Sequence, residues 1–190
     1  MVLTDRRMAT AAGHDLVEVV GAATAAGAPV VVFREKDLPR AARHRLAEHL
    51  RAATAAAGAT LIVAGDVALA RAVRADGVHL AADDPWPDDA SAGLRVGRSC
   101  HTPGELVDAA THGSVDYATF SPVFPTTSKP GYGPALGVDG LAAGCMAVAG
   151  VGSRLAVCAL GGIGPAQAGA CLAAGATRIA VMGIVMRADD

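Results

Sequence analysis

The sequence predicts an α/β fold: a TIM-like (β/α)8 barrel, one domain over residues 1–190, with the eighth helix truncated or absent. Three observations predict it. Short apolar, β-prone runs alternate with alanine-rich helical stretches from end to end, and such alternation implies parallel strands joined by right-handed crossovers. The β-prone runs number eight, and eight such units close into a barrel rather than an open sheet. The composition is 52% hydrophobic but only 3% aromatic. Alanine, valine and leucine must therefore fill the core, and such small residues suit helices packed closely on a parallel sheet.

The elements follow in order. Val2-Leu3 is a brief apolar start ending at Thr4-Asp5, and Asp15 to Ala26 carries Leu16, Val19, Val20 and Ala23 at helical spacing before Gly27. Pro29 to Phe33 is a continuous apolar run of the kind found in fully buried parallel strands. It ends in Arg34-Glu35-Lys36-Asp37, and a helix from Ala41 to Ala57 is closed by Gly58. Thr60 to Ala64 is a second buried strand, ending at Gly65-Asp66 before a helix from Val67 to Arg74. Gly77 to Leu80 is short, and Pro85-Trp86-Pro87 makes the passage after it irregular.

The fifth strand begins at Arg95 and runs out at Ser99-Cys100-His101. Thr102 is placed to cap a helix from Pro103 to about His112, with Glu105 at the capping-box position. Tyr117 to Phe120 is a strand, followed by a long loop from Ser121 to Gly137. A helix from Val138 to Ala149 contains Gly140 and Gly144, which weaken its regularity. Leu155 to Leu160 is a strand ending in Gly161-Gly162-Ile163; Pro165 to Ala174 is a helix, and Arg178 to Met182 is the last strand. Only Gly183 to Asp190 follow it. One side of the barrel then needs another cover, and a homodimer is the expected one.

Sixteen basic and 18 acidic residues leave a net charge of −2, which offers no polybasic surface for nucleic acid or a membrane. No apolar run approaches a transmembrane length and the first residues have no signal-peptide core, so a cytoplasmic protein is expected. Cys100, Cys145, Cys158 and Cys171 show no C-x-x-C spacing, which argues against a zinc knuckle or redox pair. Cys145, Cys158 and Cys171 read as small core residues.

In such barrels the chemistry sits at the C-terminal ends of the strands. His101 falls just past the fifth strand, and histidine is the side chain that exchanges protons near neutrality. Arg34, Lys36 and Lys129 also fall in these segments, in a chain with few cations, and point to an anionic, phosphorylated ligand. The alternative for Arg34 and Lys36 is an ordinary salt bridge to Glu35 or Asp37. Gly161-Gly162 after strand seven and Met182-Gly183 after strand eight lie where many barrels hold a phosphate on backbone N–H groups. The loop from Pro122 to Gly133, with its hydroxyls and Lys129, is read as a lid, against the alternative of a disordered connection. His79 reads as a core histidine; His14, His44, His49 and His112 read as solvent-facing.

Five ordered motifs carry a family resemblance across nearly the whole chain: Phe33 to Lys36, Asp76 to Leu80, Gly97 to Thr102, Pro122 to Thr126 with Lys129, and Gly161 to Ile163. The sequence resembles the thiamine phosphate synthase / thiazole tautomerase family. The resemblance implies a phosphate held after strands seven and eight, and ligand-binding hydroxyls and lysines at Lys36, Ser99, Thr126, Ser128 and Lys129.

Departures bear on which activity applies. The synthase branch carries a glutamine where this chain has Val32, and an Asn-Asp pair where it has Ala64-Gly65. That aspartate and one after strand four hold magnesium in the synthases; Asp84 matches the second, and Gly65 removes the first. The tautomerase branch needs no metal and uses a histidine in the place of His101. The expectation is therefore a metal-free, cofactor-free thiazole tautomerase acting on a carboxylated thiazole phosphate. The alternatives are a thiamine phosphate synthase using Mg²⁺ on Asp84, or a non-catalytic member that binds a thiazole phosphate.

Overall fold

The computed structural model describes residues 1–86, 88–126 and 134–188. Eight parallel strands run in sequence order through one sheet, with helices between them, in the TIM-like (β/α)8 fold. They are β1 (Val2–Leu3), β2 (Val30–Phe33), β3 (Thr60–Ala64), β4 (Gly77–Leu80), β5 (Arg95–Cys100), β6 (Tyr117–Phe120), β7 (Ala156–Leu160) and β8 (Arg178–Ala180). The chain divides into two compact units: Met1–His79 with Asp89–Arg95 and Met182–Asp190, and Leu80–Asp88 with Val96–Val181.

In the first unit, Val31 of β2 pairs with Val2 of β1 and Leu61 of β3. Every residue of β2 is buried, as its unbroken apolar run requires of a strand covered on both faces. The helices are α1 (Arg6–Ala11), α2 (Leu16–Ala25), α3 (Arg40–Ala56) and α4 (Val67–Ala72). Three start at an aspartate whose carboxylate accepts a backbone N–H of the first turn: Asp5, Asp15 and Asp66. A six-residue α1 was absent from the sequence expectation, because so short a segment shows no periodicity and Thr4-Asp5 read only as a strand end.

The segment after β8 forms a short α8 (Gly183–Met186) packed on α1 and α2, with Met186 fully buried. The truncated eighth helix thus still covers part of its own unit. Arg43 of α3, only 9% exposed, donates to the Ala64 carbonyl at 2.7 Å and to Asp66 at 2.8 Å. That bond ties α3 to the end of β3.

In the second unit, β5, β6, β7 and β8 pair in register, with Ser99 beside Thr119 and Thr119 beside Cys158. The helices are α5 (Pro103–His112), α6 (Gly137–Gly150) and α7 (Pro165–Ala173). Phe120, Leu106, Leu141, Val157 and Cys171 form its core; each large apolar side chain so buried contributes about 1.5–3 kcal/mol. Gly144 has a packing reason: a Cβ there would lie 2.5 Å from the Phe120 ring. Small differences from expectation occur at ends. The last strand stops at Ala180, so that Met182 precedes α8 rather than closing a strand, and β7 begins at Ala156 rather than Leu155. No helix among the described residues is long and apolar enough to cross a membrane.

Candidate active site

The first unit presents the end of β2. The Arg34 backbone N–H donates to Thr4 Oγ1 at 3.0 Å, and Thr4 Oγ1 donates to Glu35 at 2.8 Å. Glu35 is 5% exposed and also accepts from the Arg6 backbone N–H at 3.2 Å. Asp37 pairs with Arg6 and, at 2.8 Å, with Arg7. The salt bridges held open for Arg34 and Lys36 therefore do not form, because Arg6 and Arg7 take both acidic neighbours. Arg34 instead places Nη1 2.8 Å from Met182 Sδ, a weak acceptor that leaves its charge uncompensated. Lys36 is exposed. Among the described residues neither cation has a carboxylate partner.

Gly183 opens α8, and a Cβ on it would lie 2.9 Å from Arg187 Nη2. Arg187 is a cation the sequence reading missed. Its signal was its place four residues beyond Gly183, directly after α8.

The second unit carries His101. Its Nδ1 lies 2.7 Å from the Ser121 carbonyl oxygen and 3.4 Å from the Ser121 hydroxyl. A carbonyl only accepts, so Nδ1 carries the proton and the neutral ring has its basic lone pair on Nε2. The His101 backbone N–H donates to Glu105 at 2.6 Å, while Thr102 Oγ1 accepts from the Glu105 N–H at 3.2 Å. The predicted cap is present, but its glutamate reaches one residue further back than an ordinary capping box. Burial, with the Glu105 charge second, pushes the neighbouring Cys100 thiol up to about 12. Ser99 and Thr126 are half-buried. Ser128 and Lys129 lie outside the described residues.

The loop after β6 begins at a cis Ser121-Pro122 bond and is tied to the end of β7. Val123 donates to the Leu160 carbonyl at 2.9 Å and Phe124 to the Gly161 carbonyl at 3.0 Å. Of the loop read as lid or disorder, Val123 and Phe124 are thus tied to the end of β7, and residues 127–133 lie outside the described residues. Gly162, at φ +63°, would place a Cβ 2.5 Å from the Pro125 carbonyl. Glycine is needed there for close passage of the β6 loop, in addition to any approach of a phosphate.

Magnesium is the group the resemblance raises, and the residues present do not fit it. Hard Mg²⁺ is bound through one or two carboxylates, water and substrate phosphates in near-octahedral geometry. Gly65 has no side chain, and the adjacent Asp66 spends Oδ1 on the Leu69 N–H and Oδ2 on Arg43, each at 2.8 Å. In the second unit Asp84 Oδ2 accepts from the Ala81 N–H at 2.7 Å. Arg98, 6% exposed, donates Nη2 to the carbonyls of Ala82 at 2.7 Å and Asp84 at 2.9 Å. It lies 4.0 Å from the Trp86 ring centroid, and Trp86 stacks on His112 at 4.3 Å. Arg98 Nη1 is buried and has no hydrogen-bond partner among the described residues. A fixed cation thus already occupies carbonyl oxygens of the Asp84 loop.

The family profile described as thiamine monophosphate synthase matches residues 1–185. The chain belongs to that family. It is 38% identical to a thiamine-phosphate synthase of Chromobacterium violaceum, over 92% of this chain and 83% of the relative. It is 37% identical to one of Roseiflexus castenholzii, over 100% of this chain and 81% of the relative. The solved thiamine phosphate pyrophosphorylase from Pyrococcus furiosus superposes with a TM-score of 0.84 at 31% identity, covering 100% of this chain and 87% of that one. Family membership places the chain in thiamine biosynthesis. The names of the curated relatives favour the condensing alternative of the sequence reading over the tautomerase put first there.

Proposed function

We propose that the chain is a thiamine phosphate synthase: it joins a pyrimidine methyl diphosphate to a thiazole phosphate. The observation that carries this reading is whole-chain similarity, 37–38% identical, to relatives named for that activity. In the reaction the thiazole nitrogen forms a C–N bond to the pyrimidine methylene carbon. The C–O bond to diphosphate breaks, and diphosphate leaves with the electron pair. The protein's work is to orient the two partners and to stabilise the departing charge. Arg34 and Lys36 suit the second task because no carboxylate among the described residues neutralises them. Lys129, with Ser99, Thr126 and Ser128, is assigned to the same ligands on the family motif. Gly161, Gly162, Met182 and Gly183 are assigned to the thiazole phosphate. The test is release of inorganic diphosphate when both substrates are supplied.

One observation favours a second reading, the tautomerase. The Ser121 carbonyl sets the His101 tautomer that a proton shuttle needs. His101 Nε2 would take a proton from the sp³ ring carbon bearing the carboxylate, and the exocyclic carbon would receive one. Aromatisation drives that exchange.

Homodimer formation belongs to the same proposal. Met146 of α6 at 72% and Leu172 of α7 at 49% exposure support it, and light scattering at micromolar concentration checks it.

A further inference from the structure

We propose that this chain works without a bound divalent cation, the leaving charge being met by protein cations alone. The inference rests on the synthase reading. Its ground is the state of the oxygens that a metal would need. At the end of β3, Gly65 offers no carboxylate, and Asp66 is consumed by the α4 cap and Arg43. At the end of β2, Glu35 is held by Thr4 and Arg6, and Asp37 meets Arg6 and Arg7 through Oδ2. At the start of α5, Glu105 has one carboxylate oxygen, Oε2, taken by the His101 N–H.

Asp84 keeps one carboxylate oxygen beyond its bond to Ala81, a single protein ligand for a cation that is ordinarily held by one or two carboxylates together with water and substrate phosphates. The backbone of its loop is taken as well. Arg98 holds the Ala82 and Asp84 carbonyls, and a permanent guanidinium repels a second cation from the same oxygens. Among the described residues, no three histidine, cysteine, aspartate or glutamate side chains are grouped for a metal. The pattern of cations is the complement of this. Arg6, Arg7, Arg43 and Arg51 each pair with a carboxylate, whereas Arg34 and Lys36 have none among the described residues. Among the described residues, positive charge is left unspent at the end of β2, and Asp66 at the end of β3 has both carboxylate oxygens taken.

The experiment has two arms on the full chain, stripped of metal by dialysis. In the first, condensation of the two substrates is followed in excess EDTA and in excess Mg²⁺. A difference below about threefold is expected; a larger loss in EDTA that Mg²⁺ restores overturns the proposal. In the second, Mn²⁺ alone is titrated into substrate-free protein and free Mn²⁺ is read by electron paramagnetic resonance. Half-saturation no tighter than about 1 mM is expected, and a tighter site overturns the proposal. If neither metal condition gives condensation, the synthase reading fails while the Mn²⁺ arm still decides the metal question.

Discussion

His101 Nδ1 and the Ser121 carbonyl oxygen are 2.7 Å apart, which joins the end of β5 to the start of the β6 loop. The contact fixes both the orientation of the imidazole and which nitrogen bears its proton. If His101 moves a proton in catalysis, His101→Asn keeps the fold and lowers a tautomerase rate by about 10²–10⁴-fold. Condensation, limited by departure of diphosphate, falls far less in the same variant. Steady-state rates on the two substrate sets separate these outcomes.

The cap that carries His101 also stabilises the fold. Thr102→Ala removes the acceptor for the Glu105 N–H, and losing such an N-cap costs about 1 kcal/mol. A urea midpoint shifted downward at unchanged slope is the expected result; an unchanged midpoint shows that the cap contributes nothing.

Alkali should destabilise the second unit through its thiols. Burial pushes Cys100 up to about 12 and Cys158 to about 11, against 9.0 for the unperturbed group. A raised thiol pKa means that the folded chain holds its proton longer than the unfolded chain. The associated stability is complete below pH about 9 and is lost as pH rises toward the folded values. Denaturant unfolding between pH 8 and 11 should show that decline, shallower in Cys100→Ala. Cys100 and Cys158 should also resist iodoacetamide at pH 8 until the chain is unfolded.

Gly162 is a tight spot between the β7 end and the β6 loop. Gly162→Val, at φ +63° and with Pro125 and Phe124 against the new carbon, must displace the segment around Pro125. Inorganic phosphate binding, followed by calorimetry, should weaken about tenfold or more, with a smaller effect on the unfolding midpoint. Full phosphate affinity in that variant removes Gly162 from the phosphate end.

Much of this architecture was readable along the chain. The runs Val30–Phe33 and Thr60–Ala64 are apolar throughout because both faces are covered, and Thr102 with Glu105 announces α5. What escaped was long-range. Glu35 looks like a natural partner for Arg34, yet it turns to Thr4 and Arg6, about thirty residues away. Nothing local distinguishes Asp66 as spent on Arg43, or Arg98 as the clamp on the Ala82 and Asp84 carbonyls. His112 is exposed, as read from sequence, but its stack on Trp86 joins residues with no shared motif. The motif reading found the strand ends correctly and could not tell which of their charges were free.

The most direct measurement supplies the pyrimidine diphosphate and the thiazole phosphate together and determines products by mass. The account predicts thiamine phosphate and inorganic diphosphate in equal amounts, with rates at least about tenfold lower in Arg34→Ala and Lys36→Ala. No joined product at any magnesium concentration, beside isomerisation of a carboxythiazole phosphate that His101→Asn abolishes, would contradict it.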